Sequence, residues 1–217
     1  MKYPGAEQYV PDSRSLATLQ AAAAGCEGCD LYQDATGTVF GRGLRTARLM
    51  LVGEQPGDVE DREGKAFVGP AGRLLDRALD AAGLADTPSY VTNAVKHFRY
   101  RTAGKRRIHE KPSAAQSTAC RPWLAAELAA VRPAVLVALG ATAAGSLFGP
   151  GFRLTPQRGV PLDWPPPKGD FAADDTPVEH ALATVHPSAV LRAPDGERDG
   201  AFRAFVHDLQ VAGELLG

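Results

Sequence analysis

The sequence predicts an α/β fold in which one central, parallel sheet of four strands is flanked by helices. Four short apolar runs have the length and composition of buried parallel strands. Between these runs lie segments whose apolar residues recur at helical spacing. This alternation of strand and helix is typical of a parallel sheet. The 217 residues show no internal repeat and are enough for one compact core, so we expect a single domain spanning 1–217.

The predicted elements follow one another in a regular order. The strands are rich in Leu, Val and Ala, which favours burial on both faces; they are expected at 49–52, 90–95, 134–139 and 181–185. Helices are expected at about 70–83, 113–131, 141–148 and 199–215. The last helix would bury Phe202, Phe205, Val206 and Leu209 on one face. A Pro- and Asp-rich stretch beginning at Trp164 is interpreted as a surface loop.

The composition restricts the class of protein. A formal net charge of −1 and a hydrophobic fraction of 44% are typical of a soluble globular protein. No run of about 18 apolar residues is present, so no membrane span is predicted. The first residues lack the apolar stretch of a secretory signal, and the cytoplasm is therefore the expected compartment.

Positive charge is concentrated in one segment. Between Lys96 and Lys111 seven Lys and Arg residues stand against the single acid Glu110, and the remaining 17 basic and 24 acidic residues give the rest of the chain a net charge of −7. Such a patch on an acidic body indicates a phosphate-bearing partner. The alternative is a solvated loop whose charges only maintain solubility.

Three polar side chains are predicted at one edge of the sheet. Open α/β sheets bind ligands beyond the carboxyl ends of their strands. Glu54 follows the first strand, Asn93 lies late in the second, and His186 follows the fourth. Each has a structural alternative, as a helix cap, a turn former and a surface histidine respectively, but their convergence favours a functional site.

Three cysteines indicate a metal centre. Cys26 and Cys29 have the spacing at which two thiolates bind one metal or cluster, and Cys120 supplies a third. An odd cysteine count argues against a disulfide framework. His97 is the best placed fourth ligand. Such a Cys₃His set suits structural zinc as well as an iron–sulfur cluster, and unliganded cysteines are the remaining alternative.

Three ordered motifs resemble those of family-4 uracil-DNA glycosylases, over about residues 15–215. The first runs from Gly53 through Gly57 and continues over 60–75, and the others lie at 91–96 and 186–192. The chain departs from the family pattern at two places: His97 replaces a cluster cysteine, and an insert contains Lys105 to His109. These departures and Gln55 resemble features of the UdgX branch. Members of that branch become covalently joined to uracil-containing DNA.

The resemblance implies a [4Fe–4S] cluster held by Cys26, Cys29, His97 and Cys120. The cluster segment would span about 15–35, and the basic insert about 99–111. It also implies a base-flipping enzyme that binds uracil-containing DNA, preferably single-stranded, and releases uracil. We expect a monomer in a bacterial cytoplasm, associated with the nucleoid.

The resemblance also assigns roles to residues of the expected pocket. Phe67 would stack on the flipped uracil beside Gly53 and Gln55, and the Asn93 amide would pair with the uracil O4/N3–H edge. His186 would donate to uracil O2, and Glu54 would stabilise the sugar cation. Gln55 is also expected to be a catalytic residue.

The basic insert is expected to act on the DNA itself. His109 would attack C1′ and leave the protein joined to the DNA. The phosphates would be contacted by Lys105, Arg106, Arg107 and Ser188. Two alternatives stay open: a conventional glycosylase that releases an abasic site, and a non-catalytic iron–sulfur module that only binds DNA.

Overall fold

The computed structural model describes residues 2–167, 171 and 178–217. Its strands are β1 (Arg42–Gly43), β2 (Leu49–Gly53), β3 (Ser89–Asn93), β4 (Tyr100–Ala103), β5 (Arg106–His109), β6 (Val135–Leu139) and β7 (His180–Thr184). Its α-helices are α1 (Leu16–Ala23), α2 (Asp58–Glu63), α3 (Pro70–Ala81), α4 (Ala114–Val131), α5 (Ala141–Phe148), α6 (Leu154–Gln157), α7 (Pro187–Leu191) and α8 (Arg198–Glu214). Short 3-10 helices lie at Glu7–Tyr9 and Asp30–Gln33.

The central sheet has five strands in the order β1-β3-β2-β6-β7 and is mixed. The four predicted strands are present and pair in parallel, but β1 adds an antiparallel edge beside β3. The prediction of a purely parallel, four-stranded sheet was therefore wrong. β1 has two residues, both exposed, so it carries none of the apolar run by which a strand is recognised in a sequence.

The sheet separates two apolar layers. Leu49 and Leu51 of β2 pack in one core cluster, whereas Met50 and Val52 pack in the other, as the twofold periodicity of a strand requires. Helices α3 and α8 pack against each other on the first side, where Phe205 and Leu209 are buried. Helices α4 and α5 bury their apolar faces on the second side.

The predicted helices are confirmed to within two residues at each end. Helix α4 begins after Ser113, whose hydroxyl accepts from Gln116 N while the Gln116 side chain accepts from Ser113 N, forming a capping box. Pro70 opens α3, where its missing N–H has no cost. No helix among the described residues is long and apolar enough to cross a membrane.

The basic insert forms a hairpin rather than an irregular loop. β4 and β5 pair antiparallel with Tyr100 opposite His109, and a two-residue turn at Gly104 and Lys105 joins them. Gly104 has a φ of 61°, which a side chain disfavours and which a two-residue hairpin turn requires. We call residues 100–109 the basic hairpin. It places His109 at the end of β5, beside the carboxyl edge of the sheet.

Part of the predicted surface loop after Trp164 packs inward. The Trp164 ring contacts Phe148 and Phe171, with centroid separations of 6.3 and 5.7 Å. Residues 168–170 and 172–177 of the predicted loop lie outside the described residues.

Candidate active site

A cavity of about 710 Å³ opens at the carboxyl ends of the parallel strands. Each strand end contributes to its wall: Glu54 follows β2, Asn93 ends β3, Thr142 follows β6, and His186 follows β7. The structure thus brings together the three polar residues that the sequence placed at this edge. Phe67 and His109 complete the wall from outside the sheet.

Asn93 lines the cavity, and Gly53 packs closely behind it. Asn93 is 2% exposed, and its Oδ1 is buried without a hydrogen-bond partner among the described residues. Because a buried unpaired acceptor costs about 1–3 kcal/mol, this oxygen is poised for a donor on a ligand. A Cβ on Gly53 would clash with Asn93 Oδ1 and lie 2.7 Å from Phe67 Cζ. Glycine is therefore required beside the amide.

Phe67 is held in a backbone conformation that non-glycine residues rarely adopt. Its φ is 54°, at a cost on the order of 1–3 kcal/mol. The Arg42 guanidinium fixes this turn, since Nε donates to the Ala66 carbonyl at 2.6 Å and Nη2 donates to the Phe67 carbonyl at 3.2 Å. The ring is 5% exposed and lines the cavity.

His186 presents one ring nitrogen to the cavity and uses the other locally. Its Nδ1 accepts the Ser188 N–H at 3.2 Å at the start of α7 and lies 2.8 Å from Ser188 Oγ. Burial, with smaller contributions from Arg192 and His109, lowers the pKa of His186 to about 4. The ring is consequently neutral near pH 7, and the bond at Nδ1 assigns its proton to Nε2. Ser188 thus orients His186.

Glu54 lies between two partners at the mouth of the cavity. Thr142 Oγ1 donates to Glu54 Oε2, and Glu54 Oε1 lies 3.4 Å from His109 Nε2. The Glu54 side chain is 20% exposed and that of His109 is 50% exposed. Burial lowers the pKa of His109, and Arg192 acts in the same direction, while Glu54 opposes them. The imidazole is therefore neutral at physiological pH.

Gln55 lines the cavity, but its amide is engaged by the foot of the basic hairpin. Nε2 donates to the carbonyls of Arg99 at 3.1 Å and Glu110 at 3.0 Å, and Oε1 accepts from Arg99 N at 3.0 Å. The side chain is 6% exposed. This geometry gives Gln55 a positioning role, because the amide groups expected to act on uracil are used to hold the hairpin.

The basic residues of the hairpin divide into two groups. Lys105 and Arg106 are exposed at its tip. Arg107 is turned inward: Nε lies 2.5 Å from Asp58 Oδ1, and Nη1 lies 2.6 Å from Asp61 Oδ2. Two carboxylates already satisfy this guanidinium, so Arg107 fastens the hairpin to α2.

The three cysteines lie in one buried apolar cluster with Trp123 and Val95. Trp123 Nε1 donates to Cys26 Sγ and the Lys96 N–H donates to Cys120 Sγ, both at 3.2 Å. Burial raises the pKa of Cys29, and it raises that of Cys120 to about 12.

His97 follows Lys96 and is 5% exposed. Its pKa falls to about 4 through burial, so it holds the neutral form that binds metals. Within the described parts of the chain, no three His, Cys, Asp or Glu side chains converge as a site for a single metal ion.

The cysteine site fits an iron–sulfur cluster chemically. Thiolates buried in apolar surroundings require a compensating positive charge, which bound iron supplies, and N–H donors to sulfur are typical of such sites. The Trp123 Nε1–H that contacts Cys26 and the Lys96 N–H that contacts Cys120 are donors of this kind.

The sequence analysis assigned no role to three residues of the site. Thr142 holds Glu54, Arg192 lines the cavity, and Glu60 accepts from Gly57 N at 3.2 Å and Gly69 N at 2.8 Å, joining the two loops that carry Glu54 and Phe67. Thr142 could have been found, because it follows the third predicted strand as Glu54 and His186 follow theirs.

Comparison with known proteins identifies the family. Residues 40–210 match the uracil DNA glycosylase superfamily. The chain is 36% identical over 174 residues to a type-4 uracil-DNA glycosylase of Thermotoga maritima, covering 79% of this chain and 81% of that protein. It is 32% identical over 186 residues to the type-4 enzyme of Sulfurisphaera tokodaii, covering 83% and 78% respectively.

Proposed function

Because this chain belongs to the uracil-DNA glycosylase superfamily, we propose that it excises uracil from DNA and is then joined to the sugar through His109. We further propose that residues 1–217 form one domain that works as a monomer. The observation that carries the proposal is the 3.4 Å separation of His109 Nε2 from Glu54 Oε1 at the mouth of the cavity.

Uracil recognition rests on Phe67 and Asn93. A base must leave the helical stack to reach the cavity, and single-stranded DNA makes this less costly. Stacking on the Phe67 ring would contribute about 1–3 kcal/mol for any base, so selectivity needs hydrogen bonds. The unpaired Asn93 Oδ1 would accept the uracil N3–H, and the amide nitrogen would donate to O4. With the amide in this orientation, cytosine would present the lone pair of N3 to Asn93 Oδ1 and leave that oxygen unpaired.

His186 assists the departure of the base. When the C1′–N1 bond breaks, its electron pair leaves with uracil and negative charge develops on O2. The neutral His186 ring, oriented by Ser188, would donate its Nε2 hydrogen to that oxygen. The donor is preorganised because Nδ1 is already occupied.

Glu54 and His109 act on the sugar. Bond cleavage leaves positive charge at C1′, which the Glu54 carboxylate would stabilise from a position held by Thr142. The lone pair of His109 Nε2 would then form the new bond to C1′. The imidazole takes over the positive charge and loses its Nδ1 proton to solvent. A nucleophile held beside C1′ would outcompete water through effective molarities on the order of 10⁵ M or more.

The basic residues of the hairpin and Gln55 have the remaining roles in this proposal. Lys105 and Arg106 would contact phosphates without reading sequence, whereas Arg107 anchors the hairpin through Asp58 and Asp61. Gln55 sets the position of the hairpin foot, and we propose that the chain belongs to the UdgX branch.

The cluster ligands in this proposal are Cys26, Cys29, His97 and Cys120. A [4Fe–4S] cluster bound there supplies a structural tie. The backbone already converges at this point, since Gly5 N donates to the Gly28 carbonyl and Ala6 N donates to the Ala119 carbonyl.

A conventional glycosylase that releases an abasic site is the second candidate function, favoured by the type-4 relatives. Both candidates predict that uracil is lost from a uracil-containing single-stranded oligonucleotide and that a thymine-containing control is untouched. Asn93→Ala should suppress uracil loss by about 10- to 100-fold, as expected for lost buried hydrogen bonds. Retention of uracil by the unmodified protein, with DNA binding intact, would leave only the non-catalytic DNA-binding module.

A further inference from the structure

A buried ion pair lies beside the backbone of Asn93. Lys96 Nζ lies 2.5 Å from Glu127 Oε2, and the two side chains are 1% and 0% exposed. Lys96 is the first residue of the basic segment, but a side chain this deeply buried cannot contact a DNA phosphate. A buried ion pair adds little to stability when compared with apolar side chains of the same volume. The pair therefore needs an explanation other than stability.

The Lys96 ammonium holds the end of β3. A lysine ammonium has three N–H donors, and each of them finds an acceptor here. Nζ donates to Thr92 Oγ1 at 2.7 Å, to the Asn93 carbonyl at 2.6 Å and to Glu127 Oε2 at 2.5 Å. Two of these acceptors belong to the last two residues of β3, so the ammonium fixes the strand where it reaches the cavity.

The peptide that follows Asn93 is held at both ends. Its carbonyl accepts from Lys96 Nζ, and its N–H, which belongs to Ala94, donates to the Gly53 carbonyl at 2.9 Å. Because a peptide is planar, these two bonds fix its orientation and with it the backbone of Asn93. The Asn93 Oδ1 has no hydrogen-bond partner among the described residues. The position of this oxygen in the cavity therefore depends on the backbone that Lys96 holds.

Glu127 gives the ammonium a single position. Its Oε1 accepts from Tyr90 Oη at 2.8 Å and from Gly41 N at 3.0 Å, while Oε2 accepts from Lys96. The Thr92 hydroxyl lies 2.9 and 3.0 Å from the two oxygens. A carboxylate with this many donors cannot rotate without breaking buried hydrogen bonds, which is costly. Helix α4, which carries Glu127, thus fixes the ammonium relative to the sheet.

We propose that Lys96, held in place by Glu127, is a positioning residue for uracil recognition. Its ammonium fixes the peptide that follows Asn93 and thereby sets the position at which the Asn93 amide meets the uracil edge. This inference rests on the proposed function and adds two buried residues to it. Neither residue lines the cavity, so their effect on uracil release passes through Asn93.

Two variants remove the ammonium without leaving an unpaired buried charge. Lys96→Met keeps an unbranched side chain of similar length. In Lys96→Met/Glu127→Gln an amide of the same shape replaces the carboxylate, and its oxygen can still accept from Tyr90 and Gly41. In Lys96→Met alone, the buried carboxyl can take up a proton instead.

The fold and the cysteine site of these variants are checked before their rates are compared. Thermal unfolding gives a temperature at which every variant is folded, and all rates are measured there. Iron content is measured as well, because the Lys96 N–H donates to Cys120 Sγ.

Tyr90→Phe provides the matched control. It removes a hydroxyl that donates to the same carboxylate, from a side chain that is also buried, and leaves every hydrogen bond of Lys96 in place. It should lower the unfolding temperature and leave the rate of uracil release nearly unchanged.

A double-mutant cycle with Asn93→Ala separates positioning from general damage. Uracil release from a single-stranded oligonucleotide with one uracil is measured under single-turnover conditions. We expect both Lys96→Met variants to release uracil about 10-fold more slowly than the unmodified protein. In the Asn93→Ala background the same changes should cause no further loss, because the amide that they position is absent.

The same fold-loss in the Asn93→Ala background would overturn the inference and leave the proposed function intact. A full rate in either Lys96→Met variant, or a comparable loss in Tyr90→Phe, would also overturn it. So would a lower iron content in both Lys96→Met variants than in the unmodified protein, since Lys96 would then act on the cysteine site. Failure of the unmodified protein to release uracil would instead contradict the proposed function, and this inference with it.

Discussion

Gln55 and Arg99 are joined by two hydrogen bonds across the foot of the basic hairpin. Arg99 N donates to Gln55 Oε1 at 3.0 Å, and Gln55 Nε2 donates to the Arg99 carbonyl at 3.1 Å. Gln55 Nε2 also reaches the Glu110 carbonyl at 3.0 Å. Gln55 directly follows Glu54, while Glu110 directly follows His109. The side chain of Gln55 therefore fixes the approach of His109 to Glu54.

Replacing Gln55 with Ala should impair cross-linking more than uracil release. The change leaves two carbonyls without their donor and frees the hairpin foot, and a misplacement of about 1 Å can cost on the order of 100-fold in a positioned reaction. We expect the cross-linking rate to fall about 10- to 100-fold, with a smaller loss in uracil release. Both rates can be followed on one denaturing gel by quenching with and without alkali.

Lys105→Ala provides the matched control for Gln55→Ala. Lys105 lies exposed at the hairpin tip and would act only on DNA binding. Its loss should lower both rates in the same proportion. Proportional losses in Gln55→Ala as well would contradict the positioning role.

Acid should weaken cross-linking through His109. Burial lowers the pKa of this imidazole below its ordinary value of 6.5. The proposed nucleophile is the neutral ring, so the cross-linking rate should be level from pH 8 to about 6.5 and fall at lower pH as the ring takes up a proton. The measurement is the pH profile of cross-linking under single-turnover conditions. An acid limb centred above pH 6.5 would be incompatible with this assignment.

The cysteine site should contain iron and sulfide. Cys120→Ala removes a buried ligand and should abolish cluster binding, with a marked loss of stability. Trp123→Phe removes the N–H that donates to Cys26 Sγ but keeps an aromatic ring at this buried position, so we expect the cluster to persist with a shifted reduction potential. Metal analysis and absorption spectra of the purified proteins check cluster content, and a redox titration checks the potential. Zinc in place of iron would refute the cluster assignment.

The part of the fold that follows from hydrophobic pattern could be predicted from the sequence. The runs around Leu51, Val91, Val137 and Leu182 became the four parallel strands, because burial on both faces requires continuous apolar sequence. The same reasoning placed Glu54, Asn93 and His186 at one edge.

Features that depend on short or polar contacts could not be predicted. The Arg42–Gly43 strand has no apolar residue to mark it, and the basic hairpin is dominated by charge. Gly104, the first residue of the two-residue turn between β4 and β5, was the only local signal of the hairpin. The inward turn of Arg107 depends on Asp58 and Asp61, which lie more than 40 positions away in the sequence. The sequence pattern alone does not distinguish Arg107 from its exposed neighbour Arg106.

Covalent capture by His109 is tested most directly by His109→Ser on a denaturing gel with uracil-containing single-stranded DNA. The unmodified protein should give a shifted, alkali-stable band. His109→Ser retains Glu54, Asn93 and His186, so uracil should still depart, and water should then reach C1′. We predict no shifted band for this variant, with an abasic site that alkali cleaves. A shifted band that persists in His109→Ser, or its absence with the unmodified protein despite normal uracil release, would contradict the account.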